Sequence, residues 1–295
     1  MSEAFVRTAT ERDIDAICSL LHSKMNSRIP EARWRQLMTY QWLADKPDFG
    51  RVVESDGRVL GFCGMVYADR LIGDNVHDRV EERIVSMSSW YLDKSLRGQG
   101  LGKKMLVSSL ADPSLTYATL TNSRKPLGIV ESIGFKVLED HRYVWKKSDG
   151  QAPVRPEPVI LDDFDAIRTR VEAHQRKIMD DMRGFSLKPI LIESKVGQSL
   201  LFLSIKSKGE DVLWFDVMYV SNPQVFVDGV QSLIHRLLPN TPAVLAVDGR
   251  FLKKPPADAI REQLPVGRYY FGERVARKDI DNLYSELQLL DLKLD

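Results

Sequence analysis

Arg97-Gly98-Gln99-Gly100-Leu101-Gly102 follows an apolar, β-prone run (Ile84, Val85, Met87, Trp90, Tyr91, Leu92) and precedes a helix-forming stretch, Lys103 to Leu110. Three glycines let a backbone approach a ligand with no Cβ in the way. Several amide N–H groups can then converge on one anion at the positive end of the helix dipole. The hexapeptide reads as a pyrophosphate-binding turn. Neither Gly-x-Gly-x-x-Gly nor Gly-x-x-x-x-Gly-Lys-Ser/Thr is present, so dinucleotide and nucleotide-hydrolase loops are not indicated. An ordinary tight turn capping a helix is the competing reading, and the flanking chain has to decide between them.

Working outward, Phe5 to Thr8 reads as a strand, and Thr10-Glu11-Arg12-Asp13 puts a capping residue ahead of Ile14, Ile17, Leu20 and Leu21 on one helix face. Arg51 to Glu54 and Val59 to Tyr67 flank Ser55-Asp56-Gly57-Arg58, where Asp-Gly signals a two-residue hairpin. After the hexapeptide and its helix come a strand near Tyr117 to Thr121, a helix from Pro126 to Ser132, and a final strand from Phe135 through Val144. The predicted order is β-α-β-β-β-α-β-α-β, a mixed-sheet α/β domain.

The pattern Arg/Gln-x-x-Gly-x-Gly/Ala at a strand-to-helix junction, with Leu92 five residues before the arginine, resembles the acyl-CoA signature of the GNAT superfamily of N-acyltransferases. Asn122 followed by Gly134-Phe135 resembles the second half of that family's CoA site. The resemblance implies a GNAT-like fold with acetyl-CoA or another acyl-CoA as co-substrate. It gives cofactor contact to Leu92, Arg97, Gly98, Gln99, Gly100, Leu101, Gly102, Lys103 and Asn122. For Asn122, capping the Pro126 helix or ending its strand is an equal alternative.

The same resemblance implies acyl transfer from the thioester to a primary amine of a small molecule or protein. Such a reaction needs an acceptor for the amine proton, donors for the oxyanion and an acid for the leaving thiolate. Many relatives place a glutamate base six residues before the residue matching Leu92, and here that residue is Ser86. Many place a tyrosine acid four residues before the glycine of Gly-Phe, and here that residue is Val130. Both usual proton handlers are missing. Glu82 has the parity of Ser86 along the strand, so it joins Ser86 and Tyr91 as a catalytic candidate, with Tyr67 and Asp69 behind them. A solvated strand end is the plainer reading of Glu82. Trp34, Tyr40 and Trp42 fall in the segment that covers the acceptor in the family, where helix-face packing is the plainer reading. A sensor or scaffold that binds acyl-CoA without turnover is the rival function.

Composition bounds the rest. With 42 basic and 41 acidic side chains the net charge is +1, which gives no electrostatic footprint for nucleic acid. No run of eighteen apolar residues and no charged leader with an apolar core appears, so neither a membrane span nor export is expected, and a cytoplasmic location is. Cys18 and Cys63 read as core residues, and the five histidines show no metal-ligand spacing; no metal is expected.

The chain is long enough for two domains. Ser148 to Pro158 holds three prolines and little apolar content, the composition of an extended linker. The expected division is therefore 1–148, a linker at 149–158, and 159–295. Asp163-Phe164-Asp165-Ala166-Ile167 echoes Asp13-Ile14-Asp15-Ala16-Ile17, and Tyr219-Val220 echoes Tyr91-Leu92, which suggests a tandem, degenerate second unit; an unrelated α+β domain is the alternative. In that alignment Val225 takes the place of Arg97 and Asp228 that of Gly100, so one CoA per chain is expected. Near the C-terminus, Ile280, Leu283, Leu287 and Leu290 have helical spacing and read as a core stripe, with a homodimer or interdomain contact as the sharper alternative.

Overall fold

The computed structural model describes residues 3–73, 76–147, 158–209 and 211–294. Strand β1 (Phe5–Thr8) leads through a single 3-10 turn into α1 (Ile14–Leu20). Asp13 fixes this start. Its Oδ2 accepts from the Thr10 backbone N–H and hydroxyl at 2.8 and 2.9 Å, and Arg7 clamps both carboxylate oxygens at 2.7 and 2.8 Å. Next comes α2 (Glu31–Thr39), which buries Trp34, Leu37 and Met38 and is an element the sequence reading omits. Strands β2 (Gly50–Ser55) and β3 (Arg58–Ile72) meet at Asp56-Gly57, with φ of 50° and 72°. Positive φ at both positions is the turn that matches strand twist. Then follow β4 (Val80–Leu92), α3 (Leu101–Ser109), β5 (Thr116–Thr119), α4 (Leu127–Ser132) and β6 (Lys136–Lys146).

The remaining elements are β7 (Val159–Leu161), α5 (Phe164–Arg170), α6 (Ala173–Met182), β8 (Leu187–Ser194), β9 (Gly197–Lys208), β10 (Val212–Val220), α7 (Pro223–Leu237), β11 (Ala243–Asp248), β12 (Ile260–Phe271) and α8 (Glu286–Leu289). The Asp163 carboxylate caps α5 by accepting from the Ala166 N–H, as the echo of Asp13 suggests.

Two compact units result, and they do not divide the chain where composition places the break. The first is Met1–Leu138 with Arg268–Ala276 and Tyr284–Leu292; the second is Glu139–Gly267 with Arg277–Leu283 and Lys293–Asp295. The reason lies in strand pairing. Tyr269, Tyr270 and Phe271 of β12 pair antiparallel with Thr119, Ala118 and Tyr117 of β5, so a late segment completes the first unit. Residues 142–146 of β6 likewise pair with β11 in the second unit. Of the linker expected at 149–158, only Pro158 is among the described residues.

Within the first unit the strand order is β1-β2-β3-β4-β5-β12, antiparallel except for the parallel pair β4–β5. Within the second it is β7-β8-β9-β10-β11-β6, antiparallel except for the parallel pair β10–β11. The same layout recurs strand for strand. Even the irregularities match: β4 slips register against β3 between Ser88 and Tyr91, and β10 slips against β9 between Val217 and Tyr219.

One core packs α3 (Leu101, Met105, Leu106) onto Val53, Met65, Tyr67, Val85, Met87 and Tyr117 of the first sheet. The other packs α7 (Phe226, Val230, Leu233) onto Ile190, Leu201, Phe215 and Leu245 of the second. Cys63 lies in the first core, where burial pushes its thiol up to about 12. The terminal stripe is core but not one helix: only Glu286–Leu289 are helical, with Ile280 and Leu283 in the second unit and Leu287 and Leu290 in the first.

Candidate functional site

Strands β4 and β5 stay paired only through Ile84↔Thr116, Val85↔Tyr117 and Ser86↔Ala118. Beyond Ser86, β4 continues to Leu92 while β5 stops at Thr119. The register slip and the positive φ of Ser89, 53°, mark a bulge that re-aims the strand within this unpaired stretch. A wedge therefore opens in the first sheet, with Ser86 at its apex.

The glycine turn sits at the far end of the wedge. Asp93 caps a short 3-10 turn by accepting from the Ser95 N–H, and Arg97, Gly98, Gln99 and Gly100 then run exposed into α3. Gly98 and Gly100 have φ of 83° and 76°, left-handed conformations that a Cβ would disfavour. A Cβ on either would meet no atom within 4 Å, so the glycines serve backbone conformation and leave open space above it. Gly100 is the N-cap of α3 and has no side chain to satisfy the helix's first N–H groups, which leaves them to a ligand or solvent. Arg97 reaches back to donate to the Leu92 carbonyl at 3.0 Å and lies 5.8 Å from the Tyr91 ring. The Gln99 amide donates to the Ser95 carbonyl, Lys103 is exposed, and Leu101 is buried beneath the helix start. Asn122 is engaged with Thr119, its Oδ1 accepting from the Thr119 hydroxyl and its amide donating to the Thr119 carbonyl, at the end of β5.

Among the described residues the second unit has no counterpart to this turn. Its α7 begins at Pro223, directly after β10, and the Asn222 side chain accepts from the Gln224 and Val225 N–H groups. Asp228, expected at the place of Gly100, instead lies inside α7 and accepts from the Gln224 amide. The sequence alignment misplaced it because the second unit lacks the intervening loop altogether.

At the apex, a carboxylate arrives from a part of the chain where sequence reasoning saw only apolar packing. Glu286 on α8 accepts a hydrogen bond from Ser86 Oγ at 2.8 Å on one oxygen and from Thr121 Oγ1 at 2.6 Å on the other. Glu286 is 1% exposed, and no cation pairs with it among the described residues, whereas Thr121 is solvent-exposed. Burial pushes the Glu286 carboxyl above its ordinary range, and the two hydroxyls and nearby backbone N–H groups offset part of that rise. The only signal in the sequence was one acid among buried leucines.

Tyr91 is half-buried on β4, and the remaining candidates are engaged elsewhere. Glu82 is buried rather than solvated, and Arg274 binds both of its oxygens at 2.8 Å. The Tyr67 hydroxyl donates to Asp48 at 2.8 Å, and burial raises its proton affinity. Asp69 forms a bidentate pair with Arg83. Val130 is buried in the first core. Trp34 faces that unit's interior on α2. The Tyr67 N–H donates to the Tyr40 hydroxyl oxygen at 2.9 Å, and the Trp42 indole donates to the Tyr67 carbonyl. Tyr40 and Trp42 stack with centroids 4.6 Å apart, and Tyr284 meets Trp42 edge-on at 5.3 Å. This aromatic cluster anchors the segment that carries Glu286.

In the second unit, Glu139, Asp140 and His141 place ligand-type atoms within 4.8 Å of one another. Glu139 already accepts from the backbone N–H groups of Asp140, His141 and Arg250, which accounts for its buried charge without an ion. Among the described residues no helix is long and apolar enough to cross a membrane.

Residues 14–110 match the model of the acetyltransferase (GNAT) family. Among solved structures, a GCN5-related N-acetyltransferase from Kribbella flavida is similar at TM-score 0.58 and 10% identity, over 91% of this chain and 70% of that one. One from Anabaena variabilis gives 0.54 and 12%, over 91% and 72%. Eis1 from Mycobacterium abscessus gives 0.50 and 12%, over 91% and 73%. At such identities the likeness speaks for the fold alone.

Proposed function

With residues 14–110 forming an acetyltransferase (GNAT) domain, we propose that the first unit transfers an acetyl or other short acyl group from acyl-CoA to a primary amine, in one ternary complex. The observation that carries this reading is the wedge between β4 and β5 with the left-handed Gly98 and Gly100 turn at its end. Backbone N–H groups at the start of α3 suit a pyrophosphate, because several donors and the helix dipole act on one anion. Leu92, Arg97 to Lys103 and the wedge above Ser86 are the residues that would hold the nucleotide and pantetheine arm. A thioester lying in the wedge would have its carbonyl near the unpaired β4 backbone, where an N–H can stabilise an oxyanion. We also propose that the second unit is a degenerate GNAT-like repeat, on the strength of its matching strand order, and that it binds no CoA because α7 starts without a phosphate turn.

Calorimetric titration with acetyl-CoA tests the donor site. Wild type is expected to bind one equivalent. Gly100→Asp, which adds a carboxylate and strains a φ of 76°, is expected to lose at least tenfold in affinity. No binding by wild type would remove the proposal. The absence of the family's glutamate and tyrosine at Ser86 and Val130 favours a second reading, a non-catalytic acyl-CoA sensor. Amine-stimulated release of CoA thiol distinguishes the enzyme from that sensor.

A further inference from the structure

The unexplained feature of the first unit is a fully buried carboxylate that forms no ion pair among the described residues. Burying a carboxylate without a counter-charge is costly, and such groups are found where a chemical step needs them. Glu286 occupies that position at the apex of the wedge, held by Ser86 and Thr121. Resting on the acyltransferase reading above, we infer that Glu286, delivered by the C-terminal segment, is the proton acceptor for acyl transfer at the β4–β5 wedge.

Three observations support the assignment. First, Ser86 stands where relatives are expected to carry a glutamate base, and Glu286 Oε2 lies 2.8 Å from the Ser86 hydroxyl. A serine at that strand position leaves room for a carboxylate to enter from another element, so the chemical group is kept while its source changes. Second, the rival carboxylates are committed: both Glu82 oxygens bind Arg274, and both Asp69 oxygens bind Arg83. A carboxylate neutralised by a bidentate guanidinium is a poor proton acceptor, whereas Glu286 meets only hydroxyls and backbone N–H groups. Third, the segment is built to hold it. Ser285 Oγ accepts from the Leu287 N–H to start α8, Leu287 and Leu289 are each 1% exposed, and Tyr284 meets Trp42 edge-on and has the Arg70 guanidinium 4.3 Å from its ring centroid.

The step balances without any further reagent. The amine lone pair forms the C–N bond to the thioester carbonyl carbon, and the nitrogen's proton passes to the Glu286 carboxylate. The exposed Thr121 hydroxyl, one hydrogen bond from Oε1, is the near end of that route. Collapse of the tetrahedral adduct breaks the C–S bond, and the thiolate recovers the proton from Glu286 or from water.

Removing the acceptor while keeping the shape is the test, and moving it is the control. For wild type and Glu286→Gln, acetyl-CoA affinity is measured by calorimetry, and thiol release is measured with water, n-butylamine and spermidine as acceptors. Glu286→Gln is expected to bind acetyl-CoA within about threefold of wild type and to lose about 100-fold in kcat. The double variant Ser86→Glu, Glu286→Ser returns the carboxylate to the strand and is expected to recover at least tenfold over Glu286→Gln. A merely structural role for Glu286 predicts no such recovery. Wild-type turnover with Glu286→Gln within threefold of it overturns this inference and leaves the acyltransferase reading standing. If Glu286→Gln melts below the assay temperature, a folded but inactive double variant overturns the inference equally. Wild type that binds acetyl-CoA but releases no thiol above the uncatalysed rate overturns the acyltransferase reading and this inference with it.

Discussion

Asp13 shows how one side chain carries both local structure and a pH signature. The Arg7 guanidinium holds its carboxyl down at about 2 against an ordinary 3.8, and the Thr10 hydrogen bonds act in the same direction. Because the folded value is the lower one, the stabilisation is full above pH 3.8 and is lost as pH falls toward 2. The shift corresponds to about 2 kcal/mol, an upper figure because Arg7 is partly exposed to solvent. Asp13→Asn is therefore expected to cost about 2 kcal/mol in urea unfolding at pH 7, with the gap from wild type closing near pH 2. A gap that does not depend on pH would exclude the ion pair as its cause. The Thr10-to-Asp13 cap was legible in the sequence because its partners are three residues apart, whereas the Arg7 clamp was not read. Glu286 was not legible, because Ser86 lies 200 residues from it and no local pattern encodes that pairing.

At the scale of elements, the hairpin from β2 to β3 separates two uses of glycine. Gly57 occupies the turn with φ of 72° and open space around it, so Gly57→Ala should cost only the left-handed penalty, about 1 kcal/mol. Gly50 has φ of 117°, and a Cβ there would lie 2.0 Å from the Cys63 carbonyl oxygen across the ladder. That contact is backbone and cannot rotate away. Gly50→Ala should therefore cost on the order of 3 kcal/mol or more by equilibrium denaturation. Equal losses in the two variants would contradict this account. The Asp56-Gly57 turn was readable because the required φ values name their residues. So were β4 and the glycine turn, since an apolar run and closely spaced glycines mark them locally. The helix α2 was read only as helix-face packing around Trp34 and left out of the element order, because its apolar stripe, Trp34, Leu37 and Met38, spans barely more than one turn. Asp228 was misassigned for a related reason: a shared strand pattern was extended across a loop that the second unit lacks.

For the whole molecule, the units are not contiguous in sequence, and composition alone could not reveal that. Proline content marks where a chain is extended, but unit membership is decided by ladder partners such as Tyr269↔Thr119. A chain ending at Lys147 would seem to contain every element of the predicted first domain. It would lack Tyr269, Val275, Tyr284, Leu287, Leu289 and Leu290, all buried in the first unit of the intact protein. At roughly 2 kcal/mol for each buried side chain, that loss is on the order of 10 kcal/mol, comparable to the full stability of an ordinary domain. It would also leave β5 as an unpaired edge and Ser86 without Glu286. The 1–147 fragment is therefore expected to show no cooperative thermal transition and little near-ultraviolet circular dichroism, while the full chain shows both. A fragment that melts cooperatively near the full-length temperature would mean that the C-terminal segments decorate a finished domain. Loss of the transition would make the same segments that supply Glu286 a condition of folding, so that Ser86 and Glu286 meet only once the whole chain has been made.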